Sequence, residues 1–150
     1  MEVLGMKHYV KKFAELTTAE FYAIVKERIA VFVVEQNCPY QEVDEIDEIA
    51  WHTYFKDEEG TILAYTRIYV EDDAVHFGRV LVNQAHRKSG LGQKIVQHTL
   101  AAIEANAPGR PIVIGAQEYL QSFYESFGFE AISEVYLEDG IPHLDMRKQP

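Results

Sequence analysis

"HRKSGLGQK", residues 86–94, is the stretch on which the fold turns. Gly90 and Gly92 stand one residue apart, behind Arg87 and Lys88. The run before it, "VHFGRVLV" at 75–82, has strand composition, and an apolar-periodic segment follows. The pattern is a strand, a basic glycine turn and a helix. A helix start leaves about four backbone N–H groups without intrahelical partners, and the helix dipole adds partial positive charge there. Gly90 and Gly92 allow a ligand close to the backbone. Arg87 offers forked donors suited to phosphate, Lys88 adds charge, and Ser89 can cap the helix or touch the phosphate. The stretch is a candidate phosphate cradle; an ordinary surface turn is the competing reading.

Two nucleotide motifs do not fit it. A P-loop needs Gly-Lys followed by Ser or Thr after a four-residue spacer. A dinucleotide fingerprint needs a third glycine three residues after Gly92, where Ile95 stands.

The surrounding chain is acidic, with a net charge of −10 over 150 residues. That balance argues against broad nucleic-acid or anionic-membrane binding and favours small cationic partners. The length suits one domain, 1–150. No apolar run is long enough for a membrane span, and "MEVLGMKHYVKKF" lacks the apolar core of a signal peptide. The single cysteine, Cys38, excludes an internal disulfide and a multi-cysteine metal site, so no metal is expected. It fits a reducing, cytoplasmic setting. "QEVDEIDE", 41–48, carries five carboxylates in eight residues. It reads either as a solvated loop or as an anionic rim.

Periodicity supplies the elements. Residues 8–13 read as a strand. Thr17 and Glu20 form a capping-box pair, with Leu16 and Phe21 at the staple positions. The helix that follows runs toward 36 with Phe21, Val25, Arg28, Ile29 and Phe32 on its expected buried face. Arg28 there is either an ion-pair anchor or a solvated charge. Segments 51–57 and 61–70 read as a hairpin, and 74–82 as a third strand. Residues 90–105 form a helix striped by Leu91, Ile95, Thr99, Ala102 and Ile103. "PIVIGA", 111–116, is a central strand. A short helix carries Leu120, Phe123, Tyr124 and Phe127, ended by Gly128. The closing hairpin turns at Glu138-Asp139-Gly140. A strand meander followed by helices between strands predicts an α/β fold with a mixed central sheet flanked by helices.

"RKSGLG" resembles the pyrophosphate-binding turn of the GCN5-related N-acetyltransferases (GNAT family): Arg or Gln, two residues, Gly, one residue, Gly or Ala. "QEYLQSFYESFGF", 117–129, resembles the second signature of that family. Gln117 stands where the family often has Asn, and Leu120 where it often has Ala. With "RIAVFVVEQNCPYQEVDEID" and "EDGIPHLDM", the likeness extends over most of the chain and is to the ElaA-like branch.

The resemblance implies a GNAT-type domain that moves an acetyl group from acetyl-CoA directly to an amine acceptor. It implies that Arg87, Lys88, Ser89, Gly90, Leu91, Gly92 and Gln93 embrace the coenzyme A pyrophosphate. It also implies that backbone near Leu81 and Val82 pairs with the pantetheine arm, that Gln117 bonds the same arm, and that Tyr124 protonates the leaving thiolate. The general base stays open among His76, Glu35, Asp44, Glu45 and His143, a base acting through ordered water, and no dedicated base; His76 lies in the third strand, and an imidazole suits the task. Tyr40, behind Cys38 and Pro39, is a candidate cleft wall. The resemblance implies a primary amine as acceptor, and an anionic rim at 42–48 would favour a cationic one. The chain is expected as a monomer or homodimer. A catalytically silent coenzyme A-binding or regulatory protein, or a binding module for another phosphate ligand, would share much of this pattern.

Overall fold

Thr17 starts the first helix as its spacing predicts. In the computed structural model, which describes residues 5–150, its Oγ1 accepts from the Glu20 N–H, and Glu20 Oε1 accepts from the Thr17 N–H, both at 3.0 Å. Residues 1–4, where the expected single domain and the N-terminal reading begin, lie outside the described residues. Strand β1 spans Lys7–Lys12, and helix α1 spans Thr18–Ile29. Six residues of π-helix, Ala30–Glu35, continue it. A short helix, α2, at Ile46–Ile49 precedes the meander of β2 (Trp51–Lys56), β3 (Ile62–Glu71) and β4 (Ala74–Val82). Helix α3 (Leu91–Asn106), β5 (Ile112–Gln117), α4 (Gln121–Glu125), β6 (Glu130–Ala131), β7 (Tyr136–Glu138) and β8 (Ile141–Lys148) complete the chain.

One mixed sheet results, in the order β1-β2-β3-β4-β5-β8-β6, with β7 also on β8. Among the described strands only β4 and β5 are parallel, joined by the α3 crossover. Burial on the two faces follows the strand alternation. Ala64, Ile68, Val75 and Phe77 pack with Leu91, Ile95 and Val96 of α3 and with Tyr124 of α4. Ile62, Tyr65 and Leu81 pack with Ile24 of α1. The expected α/β fold is the observed one.

The first helix departs from its expected stripe. The buried positions are Glu20, Ile24, Arg28 and Val31, whereas Ile29 is exposed and Phe21 and Val25 are half-buried. Of the expected stripe only Arg28 is buried, and periodicity misplaces the rest of the face because Glu20, a charged residue, is one of its members. Glu20 Oε2 accepts from Lys11 at 2.9 Å and from the Tyr54 hydroxyl at 2.7 Å. Arg28 is fully buried, so it is the anchor and not the solvated charge. Paired in this way, both charges can leave water.

Candidate active site

The parallel pairing of β4 and β5 covers only Val75 with Ile112 and His76 with Val113. Beyond that the strands part, and β5 turns its other edge to β8 over six residue pairs. The opening is a cleft of about 780 Å³, walled by Phe77–Val82 on one side and by Gly115, Ala116 and Gln117 on the other. From Phe77 onward β4 has no strand partner on its cleft side among the described residues, so backbone groups there are available to a ligand. Leu81 and Val82, the expected pantetheine contacts, lie on this wall. The Leu81 side chain faces α1 instead, and the Val82 carbonyl already accepts from Arg87 Nε at 3.2 Å.

A bulge shapes the same wall. Thr66 of β3 spans two residues of β4, Arg79 and Val80, and the register shifts there. Arg79 takes a left-handed conformation with φ of 52°. Its guanidinium is held by Glu42 at 2.8 Å and lies over the Tyr40 ring at 5.3 Å.

The acidic run 41–48 is neither a solvated loop nor an anionic rim. Glu42 and Asp47 are buried, and Asp44 is mostly so. Arg28 donates to Glu42 Oε1 at 2.9 Å and to Asp47 Oδ1 at 2.6 Å. Arg67 grips Asp44 with two bonds, at 2.7 and 3.0 Å. Three carboxylates face three guanidiniums, so most of the run's charge is neutralised inside the molecule. His52 donates from Nε2 to the Asp47 carbonyl at 2.9 Å and fixes the start of β2 against α2.

The glycine turn lies at one end of the cleft. Lys88 and Gly90 have φ of 64° and 84°, which folds the chain back into α3. No side chain caps this helix. The Ser89 hydroxyl donates to the His86 carbonyl, so Ser89 is not the expected cap. The first N–H groups of a 16-residue helix are therefore left open to an anion. A Cβ added at Gly90 meets nothing within 4 Å, and one at Gly92 meets only Val82 Cγ2 at 3.8 Å. The space over both glycines is open. Arg87, Lys88, Gly90, Leu91 and Gly92 line the cleft; Ser89 and Gln93 do not.

Arg87 has a partner that the sequence does not reveal. Its Nη1 and Nη2 donate to Glu35 Oε2 and Oε1 at 2.6 and 2.8 Å. This fork holds the Glu35 carboxyl below the usual carboxylate range, against the opposing effect of burial.

Tyr124 packs its ring on Phe123, Phe129 and Phe77 and is 4% exposed. Burial raises its hydroxyl well above the usual tyrosine range, so it stays protonated. No buried side-chain nitrogen or oxygen lacks a partner among the described residues, and no described group bonds this hydroxyl. It therefore opens on the cleft that Tyr124 lines. Gln117 also lines the cleft, with Nε2 3.5 Å from Gln36 Oε1.

The acetyltransferase (GNAT) domain family matches residues 20–150. The chain belongs to the GNAT family. It is 43% identical to protein ElaA of Escherichia coli over 142 residues, 91% of this chain and 92% of that protein. The crystal structure of E. coli ElaA superposes with a TM-score of 0.90 at 40% identity, covering 96% of this chain and 99% of that one. An acyl-CoA N-acyltransferase from Pseudomonas aeruginosa superposes with a TM-score of 0.92 at 40% identity, covering 95% and 99%. The resemblance and the fold expected from the sequence both hold.

Within this GNAT domain the base candidates separate. His76 is outside the cleft: its ring stacks on Tyr69 at 5.1 Å, beside the last pair that β4 makes with β5. Strand alternation turns it away from Val75 and Phe77. Glu45 does not line the cleft, and Asp44 and Glu35 are engaged by arginines. His143 does line it. Cys38 is buried with Sγ 3.4 Å from the Asp139 carbonyl, which joins the loop after α1 to the β7–β8 turn. Tyr40 is a cleft wall, as expected. Sequence reading missed Arg67 and Arg79. Both are arginines in strands, and burial of that residue type without a partner is costly enough to have signalled acidic partners elsewhere.

Proposed function

We propose that this protein transfers an acetyl group from acetyl-CoA to the primary amine of a small molecule or peptide, without a covalent enzyme intermediate. The observation that carries the proposal is the uncapped start of α3 beside a parted β4 and β5, with the Tyr124 hydroxyl open to the same cleft. Acetyl-CoA would supply the acetyl group already activated as a thioester.

The chain's own groups would do the rest. The N–H groups of Leu91, Gly92 and Gln93 receive the pyrophosphate, with Lys88 adding charge and Ser89 and Gly90 shaping the turn. Arg87 joins them on release from Glu35. The unpaired edge of β4, near Leu81 and Val82, pairs with the pantetheine arm, and Gln117 bonds it from β5. Tyr124, held protonated by burial, donates to the developing thiolate. Phe77, Phe123 and Leu120 exclude water around it. The single buried cysteine suits a cytoplasmic, reducing setting.

The deciding experiment mixes purified protein with acetyl-CoA and an amine panel of polyamines and peptides, and follows thiol release. Release that depends on both partners is expected. Tight acetyl-CoA binding with no release from any amine would make this a silent coenzyme A-binding protein.

A further inference from the structure

The geometry points to His143 as the general base, with Glu138 as the anchor for the acceptor's ammonium; this deepens the acetyl-transfer reading and rests on it. His143 lies on β8, in register with Gln117 at the end of β5 where the cleft opens. Its Nδ1 is 2.7 Å from the Ile141 carbonyl, two residues back in the same strand. A carbonyl can only accept, so Nδ1 carries the proton. The neutral ring is thereby fixed in the tautomer whose Nε2 has a free lone pair. Tyr136, stacked on the ring at 6.2 Å and bonded to Asp145 at 2.6 Å, holds its plane.

Glu138 Oε2 lies 3.5 Å from that Nε2. The carboxylate is 59% exposed, and among the described residues no arginine or lysine pairs with it. It differs in this from Glu35, Glu42, Asp44 and Asp47, all of which are gripped by guanidiniums. An ammonium beside Glu138 has its N–H bonds within reach of His143 Nε2. The other imidazole on the cleft, His86, belongs to the turn before Arg87, at the phosphate end. The charged and titratable groups at the His143 end are Tyr136, Glu138 and Asp139 beside it, Asp145 behind Tyr136, and Cys38, Tyr40 and Arg79 on the facing loop and strand.

The acceptor nitrogen gives up two protons in all. The first passes to His143 Nε2 and on to solvent, freeing the lone pair that forms the C–N bond. The C–S pair leaves with sulfur, which takes the Tyr124 proton. The second amine proton, shed as the amide forms, restores Tyr124 through solvent.

Two measurements test His143. Long-range imidazole correlations on ¹⁵N-labelled full-length protein should show the Nδ1–H tautomer for His143 in its neutral form; the Nε2–H tautomer would overturn the proposal. Kinetics use acetyl-CoA with spermidine, a peptide α-amine and a lysine peptide as probes. His143→Gln should lower kcat about 100-fold and abolish the acid limb of the kcat/KM profile, leaving acetyl-CoA affinity unchanged. Glu138→Gln should give the opposite split, with the amine KM raised about tenfold and kcat largely kept. His143→Asn serves if the Gln variant does not fold. Wild-type turnover that the His143 variants retain, with the same pH profile, overturns His143 alone. Wild-type protein that releases thiol with none of the three amines overturns the transfer reading, and the base with it.

Discussion

Glu42 ties the acidic loop to the bulge of β4. Its carboxylate accepts from Arg79 Nε at 2.8 Å and from Arg28 Nε at 2.9 Å, so one buried anion joins helix α1 to the strand that walls the cleft. Arg79 keeps φ at 52° at that point, a conformation that non-glycine residues adopt only when their surroundings impose it. Glu42→Gln removes the shared charge and leaves two guanidiniums facing each other. Stability should fall by roughly 2–4 kcal/mol, read from urea unfolding, and acetyl-CoA affinity should fall as the bulge relaxes. An unchanged urea midpoint would show that neither arginine depends on this carboxylate.

The two turn glycines separate conformation from contact. Gly90 holds φ of 84°, so Gly90→Ala should cost about 1 kcal/mol of stability from backbone strain. Gly92 sits in ordinary helix with Val82 Cγ2 at 3.8 Å from a built Cβ, so Gly92→Ala should fold as well as the wild type. Both should weaken acetyl-CoA binding by calorimetry. A Gly92→Ala protein that binds as tightly as wild type would remove that N–H edge from the phosphate site.

Glu35 takes one N–H from each of Arg87 Nη1 and Nη2 and offsets their charge, so a pyrophosphate competes with it for that end of the fork. Glu35→Gln should therefore release the fork and tighten acetyl-CoA binding, and Arg87→Ala should weaken it about tenfold. Titration calorimetry of the two variants at one salt concentration checks this. Weaker binding by Glu35→Gln would mean that the pair positions the fork instead of competing for it.

The Tyr124 hydroxyl bonds no described group, so Tyr124→Phe should leave thermal stability unchanged. Turnover should fall about 10- to 100-fold with little change in acetyl-CoA affinity. Stopped thiol-release assays and a melt together decide it; a large drop in melting temperature with unchanged turnover would make Tyr124 a core residue only.

His8 governs part of the acid response. Burial, helped by nearby His98, lowers its pKa to about 4, and its Nε2 lies 2.6 Å from Thr53 Oγ1. An unfolded histidine titrates near 6.5, at about the ordinary value. Between those values the unfolded chain binds the proton and the folded one does not, so stability declines as pH falls from about 6.5 toward 4. His8→Gln should flatten that decline in urea midpoints measured across this window. An identical slope in the variant would assign the acid response to other groups.

Local chemistry was legible in the chain. The Thr17–Glu20 cap, the stripe of α3 and the Gly128 stop are set by neighbours within four residues, and all three appear as expected. So does the glycine turn, because a helix start presents its N–H groups whatever surrounds it. The buried face of α1 was legible only at Arg28. Its members Glu20 and Arg28 are charged, and their burial depends on partners 9 to 37 residues away. The acidic run misled for the same reason: alone it reads as solvent-facing, and only folding supplies the arginines.

The sequence by itself determined the order of elements, the mixed α/β class, the family and the glycine turn at the start of α3, because these follow from short-range periodicity and local backbone chemistry. Tertiary structure alone decided which charges are spent on one another and which stay free. It paired Glu35 with Arg87, locked Glu42 and Asp44 against Arg28, Arg67 and Arg79, and turned His76 out of the cleft while bringing His143 to it. A side chain's charge is written in the sequence; its counter-charge is set by strand register and helix packing, which act across the whole chain.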